Sequence, residues 1–236
     1  MTTGRTVTGT EIVVLDMAGT TVVDDGLVED AFTAAIGDLG VRPGTERFTA
    51  MFEYVRETMG QSKIMVFRAL LNNAEDAAQQ ANAAFERYYA EFVHNGRCAP
   101  IPGAEEAISG LRSSGRKVAL VTGFARPTQD AILAALGWQD IADLTLTPAD
   151  AGRGRPFPDL VLTALLRLGG TDVRRVAVAG DTPSDIHTGL RAGAGVVAGV
   201  LTGAGTTDQL RSAGATHVLS SVADLPALLD LELARD

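Results

Sequence analysis

Two apolar runs in this chain end on an aspartate followed by turn residues: EIVVLDMAGTT places Asp16, and RVAVAGDTPSD places Asp181 with Asp185 four positions on. Carboxylates at neighbouring strand ends can bind a magnesium ion through a few oxygen ligands and leave its waters free for a substrate to displace. A third run, KVALVTG, ends in Thr122 and Gly123, and the stretch GRGRPFP holds Arg155 between Gly154 and Pro156. A hydroxyl, the amides that open the next helix and a fixed guanidinium are the donors a phosphoryl group requires. Held in that way, phosphorus is open to attack by Asp16 acting as a carboxylate nucleophile. Without the ion and Arg155, the two anions would repel.

Taken singly, each residue has a plainer reading. Asp16 can be a turn former and Asp185 the cap of the helix that follows. Thr122 with Gly123 can be a tight turn and nothing more, TGAGTT at 202–207 reads as one, and Arg155 can be a solvated surface charge. The weight lies in the ordered set, because in an open parallel sheet ligands bind beyond the carboxyl ends of the strands, where the strand order reverses.

The elements that must position these residues alternate. Short β-branched runs recur at IVVL (12–15), KVALVT (117–122), ADLTLT (142–147), RVAVAG (175–180) and GVVAGVL (195–201), as suits strands buried on both faces. Helical patterns lie between most of them, so the fold class is α/β, a doubly wound parallel sheet of Rossmann-like type. Residues 22–98 interrupt the alternation with helical patterns alone: LVEDAFTAAIGDLG, SKIMVFRALLNN and AEDAAQQANAAFERYYAEFV. They predict a helical cap domain inserted after strand 1, with residues 1–21 and 99–236 forming the Rossmann-like core and Pro100, Pro102 and Gly103 marking the return to it.

The 236 residues, 46% of them hydrophobic, suffice for one large domain or for one carrying an insertion. A net charge of -9 argues against nucleic acid and anionic membranes as partners, and no apolar run is long enough to span a bilayer. One cysteine, Cys98, excludes an intrachain disulfide, and the first ten residues lack a leader-like apolar stretch, so a cytoplasmic location is expected. His94, His187 and His217 show no metal-ligand spacing. Of the 20 cationic residues two are lysines, Lys63 and Lys117, which makes arginine the default cation and a lysine a choice.

The series DxxGT, a strand ending in Thr-Gly, a basic residue before proline, and GDTxxD resembles the haloacid dehalogenase-type hydrolase superfamily over the whole chain. The resemblance implies a metal held by Asp16, the Ala18 carbonyl and Asp181, with Asp185 behind them steadying the ligands. Most phosphatases of that superfamily carry a second aspartate two places after the nucleophile, which protonates a leaving alkoxide; here that place is Ala18. Most also have lysine in place of Arg155. DMAGTT and TPADAGRGRPFP resemble the phosphonoacetaldehyde hydrolases and phosphonatase-like hydrolases, in which a cap lysine forms a Schiff base and the iminium lets the carbon-phosphorus bond break. MGQSKI at 59–64 resembles the segment that carries that lysine, which makes Lys63 the Schiff-base residue; the plainer reading is a solvated charge at a helix start. The family pattern has a histidine where this chain has Val66 and a tyrosine where it has Phe124. The resemblance therefore implies magnesium-dependent cleavage of a small 2-oxoalkylphosphonate by a homodimer. The alternatives are a phosphate monoester phosphatase and a silent member that binds a phosphorylated ligand.

Overall fold

A computed structural model describes residues 9–233; residues 1–8, over which most of the leader reading runs, lie outside the described residues. Six strands form one parallel sheet in the order β3-β2-β1-β4-β5-β6. They are β1 (Ile12–Asp16), β2 (Lys117–Val121), β3 (Leu144–Leu146), β4 (Val176–Gly180), β5 (Val196–Val200) and β6 (His217–Leu219). The first five coincide with the apolar runs of the sequence. β6 was not among them: its three residues, HVL, are only partly buried at the sheet edge and make too short a run to stand out.

The strands are continuous in β-branched residues because both faces are covered. Along β1, Val13 and Leu15 join one apolar core, while Ile12 and Val14 turn into a second, behind the sheet, with Leu160, Val161 and Ala164. The residues of that second core belong in part to α8 (Asp159–Arg167). The remaining helices of the sheet region are α5 (Ala104–Ser113), α6 (Arg126–Leu136), the short α7 (Pro148–Ala151), α9 (Pro183–Ala192), α10 (Thr207–Ser212) and α11 (Leu225–Leu233).

Between β1 and β2 the chain forms α1 (Leu27–Asp38), α2 (Glu46–Glu57), α3 (Lys63–Leu70) and α4 (Glu75–His94), with no named strand. Alanines at 31, 35, 78, 81 and 84 allow α1 and α4 close approach, and Phe32, Phe67 and Phe85 fill the space between α1, α3 and α4, with ring centroids 4.7–6.2 Å apart. The packing does not stop at the helices. Phe124, on the loop between β2 and α6, stands 4.5 Å from Tyr89 and 6.2 Å from Phe85, and α4 packs on α6, so one apolar core runs from the sheet into the four-helix segment. No helix among the described residues is long and apolar enough to cross a membrane.

Leu111 of α5 is fully buried in this larger core. Leu111→Ala is expected to lower the unfolding free energy by about 2–5 kcal/mol without changing the denaturant slope, read by urea titration.

Candidate active site

β1 delivers Asp16 at its last residue, and the chain then turns sharply: the amides of Thr20, Thr21 and Val22 all donate to the Met17 carbonyl. Gly19 has φ +84°, and a Cβ there would lie 2.5 Å from an Asp181 oxygen, so the turn is closed only because that residue is glycine. At the neighbouring strand end, Asp181 is held by the Thr20 hydroxyl (3.2 Å to Oδ1) and by the Ala204 amide (2.8 Å to Oδ2). The Thr202 hydroxyl donates to the Gly19 carbonyl at 2.7 Å, so the TGAGTT loop does more than turn the chain. It clamps the two halves of the site together, which corrects its reading as a bare turn.

Asp185 fills two offices at once. As the third residue of α9 it forms a capping box with Thr182, accepting from its amide and hydroxyl through Oδ2. Its other oxygen takes the Arg155 guanidinium. Arg155 also reaches Asp16, with Nη1 2.5 Å from Oδ1, so the residue that the sequence left open as a surface cation is buried and paired twice. Its Nε is buried without a hydrogen-bond partner. Burial works against the Arg155 charge, and Asp16 and Asp185 more than offset it, so the guanidinium stays charged.

Oxygens of Asp16, Asp181 and Asp185 lie within 4.8 Å of one another, all buried. Burial first, and then the Asp185 charge, raise Asp16 to about 6 against the pull of Arg155. Burial and the other two carboxylates raise Asp181 well above the usual range. Three such carboxylates against one guanidinium leave two negative charges uncompensated when all are ionised, which is the environment that a divalent cation with oxygen preference fits. Asp185, read as a residue behind the metal ligands, stands near enough to be one of them.

Thr122 is buried at the end of β2 and accepts the Phe124 amide at 3.2 Å. Asp16, Thr122, Gly123, Arg155 and Asp181 line one cavity of about 30 Å³, together with Lys63 from α3. Lys63 is 5% exposed. Its Nζ lies over three phenyl rings, 5.3 Å from the centroid of Phe124, 5.8 Å from Phe32 and 5.9 Å from Phe85. The other lysine, Lys117, is exposed and 3.4 Å from Asp143; Lys63 takes no part in the ion pairs found among the described residues. Burial, then Arg155, bring the Lys63 amine down to about 8, against the opposing charges of Asp24, Glu86 and Asp16. Asp16, Ala18, Lys63, Thr122, Gly123, Arg155 and Asp181 thus share one cavity, with Asp185 against Arg155 beside it. Asp24 and Glu86, whose charges act on Lys63, were missed, since nothing in sequence marks an acid on a helix start or a helix face as facing inward.

A family model described as haloacid dehalogenase-like hydrolase matches residues 10–193. A phosphonoacetaldehyde hydrolase of Bordetella pertussis is 31% identical, the match covering 94% of this chain and 92% of that protein. A probable phosphatase of Dickeya dadantii, IndB, is 29% identical over 91% of this chain and 97% of its own. A crystal structure of a phosphonoacetaldehyde hydrolase like protein from Oleispira antarctica has a TM-score of 0.82 at 26% identity, covering all of this chain and 97% of that one.

Lys63 reaches the cavity because the turn before α3 lies directly on the loop after β2. The Lys63 amide approaches the Gly123 carbonyl at 3.4 Å, and a Cβ on Gly123 would stand 2.6 Å from the Gln61 carbonyl oxygen. Gly123→Ala must therefore push the 60–63 turn away. Amide hydrogen exchange at residues 61–63 is expected to quicken by tenfold or more while β1 and β4 stay protected; unchanged exchange there would show that the turn does not rest on Gly123.

Proposed function

Since the chain belongs to the haloacid dehalogenase-like hydrolases, we propose that it cleaves the carbon-phosphorus bond of a small 2-oxoalkylphosphonate, with residues 22–98 as its cap and the rest as its core. The observation that carries this reading is the buried lysine. An amine wrapped by three rings and sharing a small cavity with Asp16 is placed for condensation with a carbonyl rather than for solvation. The curated relative from Bordetella pertussis supports the same chemistry.

The phosphonate is held by the Thr122 hydroxyl, the Gly123 backbone and the free Arg155 Nε. Asp16, the Ala18 carbonyl and Asp181 would hold a magnesium ion, with Asp185 beside them; when bound, the ion supplies positive charge against the phosphoryl oxygens. Lys63 attacks the carbonyl carbon, and loss of water leaves an iminium. Asp16 Oδ then bonds to phosphorus as the carbon-phosphorus bond breaks. The released electron pair moves onto carbon and is taken up by the iminium as an enamine. Protonation at carbon and addition of water free the carbonyl product and Lys63, while a second water hydrolyses the aspartyl phosphate. An alkoxide leaving group would need an acid two residues after Asp16, and Ala18 offers none.

Borohydride added with phosphonoacetaldehyde or 2-oxopropylphosphonate is expected to fix a carbon adduct on Lys63, located by peptide mass against Lys117 as internal control. Lys63→Arg should reduce phosphate release to background while magnesium still binds. Brisk hydrolysis of p-nitrophenyl phosphate that survives Lys63→Arg would instead support the phosphatase reading. The free amine is the nucleophile, and with a pKa of about 8 roughly a tenth of it is free at pH 7. The trapping rate should therefore climb between pH 6 and 8 and level off above.

A further inference from the structure

Lys63 lines two spaces, as do Gly123 and Phe124. One is the cavity with Asp16; the other is a larger one of about 150 Å³, lined by Lys63, Asn82, Glu86, Phe124, Arg126 and Thr147 among others. The larger space has room for several waters and polar groups to hold them. Glu86 enters it from α4. Its Oε1 accepts the Ala125 amide at 3.1 Å, at the start of α6, which fixes the side chain; its Oε2 is buried and has no hydrogen-bond partner. Capping α6 accounts for one oxygen; the buried Thr128 hydroxyl also bears on the Glu86 carboxyl, but Oε2 makes no hydrogen bond of good geometry. An unmatched carboxylate oxygen beside a cavity large enough for water and beside a buried amine has a use in exchanging protons with that amine.

The neighbours narrow the choice. The residue one turn along from Lys63 is Val66, and the nearest ring is Phe124, neither of which handles protons. Asp24 lines the cavity on the Asp16 side, with Oδ1 committed to the Val28 amide. The charged groups acting on Lys63 are Arg155, Asp24, Glu86 and Asp16. Arg126, the other cation at the larger cavity, is engaged by Asp150, Gln129 and Thr145 and leaves the Glu86 oxygen unpaired.

We infer that Glu86 is the proton-transfer partner of Lys63, working through water in the larger cavity, an assignment that rests on the Schiff-base reading above. The Lys63 ammonium gives one proton to the Glu86 carboxylate, the free amine adds to the carbonyl carbon, and a proton passes from the nitrogen to the new alkoxide oxygen to give the neutral carbinolamine. The carbinolamine hydroxyl takes the proton back from Glu86 and leaves as water. Ammonium and carbonyl thus become iminium and water with charge conserved, and Glu86 ends as it began. Burial raises the Glu86 pKa, countered by Thr128, Ala125 and Lys63, which suits a group that must both accept and return a proton.

The test is reductive trapping of Lys63 with phosphonoacetaldehyde and cyanoborohydride across pH 5.5–9.5, in wild type, Glu86→Gln and Glu86→Asp. Glutamine keeps the Ala125 bond and the volume but cannot exchange the proton. Its trapping rate should fall by about 100-fold at pH 7 and recover toward alkaline pH, with Lys117 labelling and magnesium binding unchanged. Aspartate, which loses reach but keeps the acid, should restore part of the rate. Equal rates and profiles in wild type and Glu86→Gln, with Lys63 trapped in both, would overturn the Glu86 assignment alone. Absence of Lys63 trapping in wild type that still releases phosphate would overturn the Schiff-base reading, and the assignment with it.

Discussion

A buried guanidinium shared by two carboxylates is the constraint from which this site is built. Removing charges from water is costly, and the cost is met only when each is paired and hydrogen-bonded. Arg155 meets it for Asp16 and Asp185, while the Thr20 hydroxyl and the Ala204 amide support Asp181. Each carboxylate is fixed by backbone geometry as well. Asp16 ends a central strand, Asp181 follows the neighbouring one, and Asp185 is locked into the first turn of α9. Because the side chains cannot drift apart, the crowding of carboxylates is relieved either by protons held on them or by a cation and the donors that a phosphoryl group meets.

The same guanidinium acts on the other half of the site. Lys63 sits in an apolar surround where its charge is poorly solvated, and Arg155 adds repulsion. Were Arg155 not anchored by Asp16 and Asp185, a buried lysine nearby would more readily take one of those acids as an ion pair and remain protonated. Pairing among the core residues therefore keeps the amine available, so the two halves of the site depend on each other through charge even though they arrive on different parts of the chain.

Much of this was legible in the sequence, for a physical reason: strand ends and the loops after them are local features, and a parallel sheet gathers them at one edge. Asp16, Thr122 and Asp181 sit at or directly beyond the end of an apolar run, Asp185 in the first turn of the helix that follows one, and Arg155 just past the short helix α7 that follows β3. The parts that stayed hidden depend on contacts distant in sequence. Glu86 meets Ala125 across 39 positions, and Thr202 meets Gly19 across 183. On α4, Glu86 is one of several acids along a helix rich in alanine, and only packing against α6 shows that it faces inward. The edge strand β6 was lost because it is short and half-buried, where the hydrophobic pattern carries least information.

The backbone seat of Gln61 on Gly123 has a bearing on throughput. With about 30 Å³ beside Asp16, the chamber holds roughly one water and no phosphonate. On the proposed function, a phosphonate could enter only if the contact between Gln61 and Gly123 gave way. The contact itself is a bare Cα against a carbonyl, but Phe124 beside it packs on Tyr89 and Phe85, so widening the chamber there would also disturb the apolar core that runs into the four-helix segment.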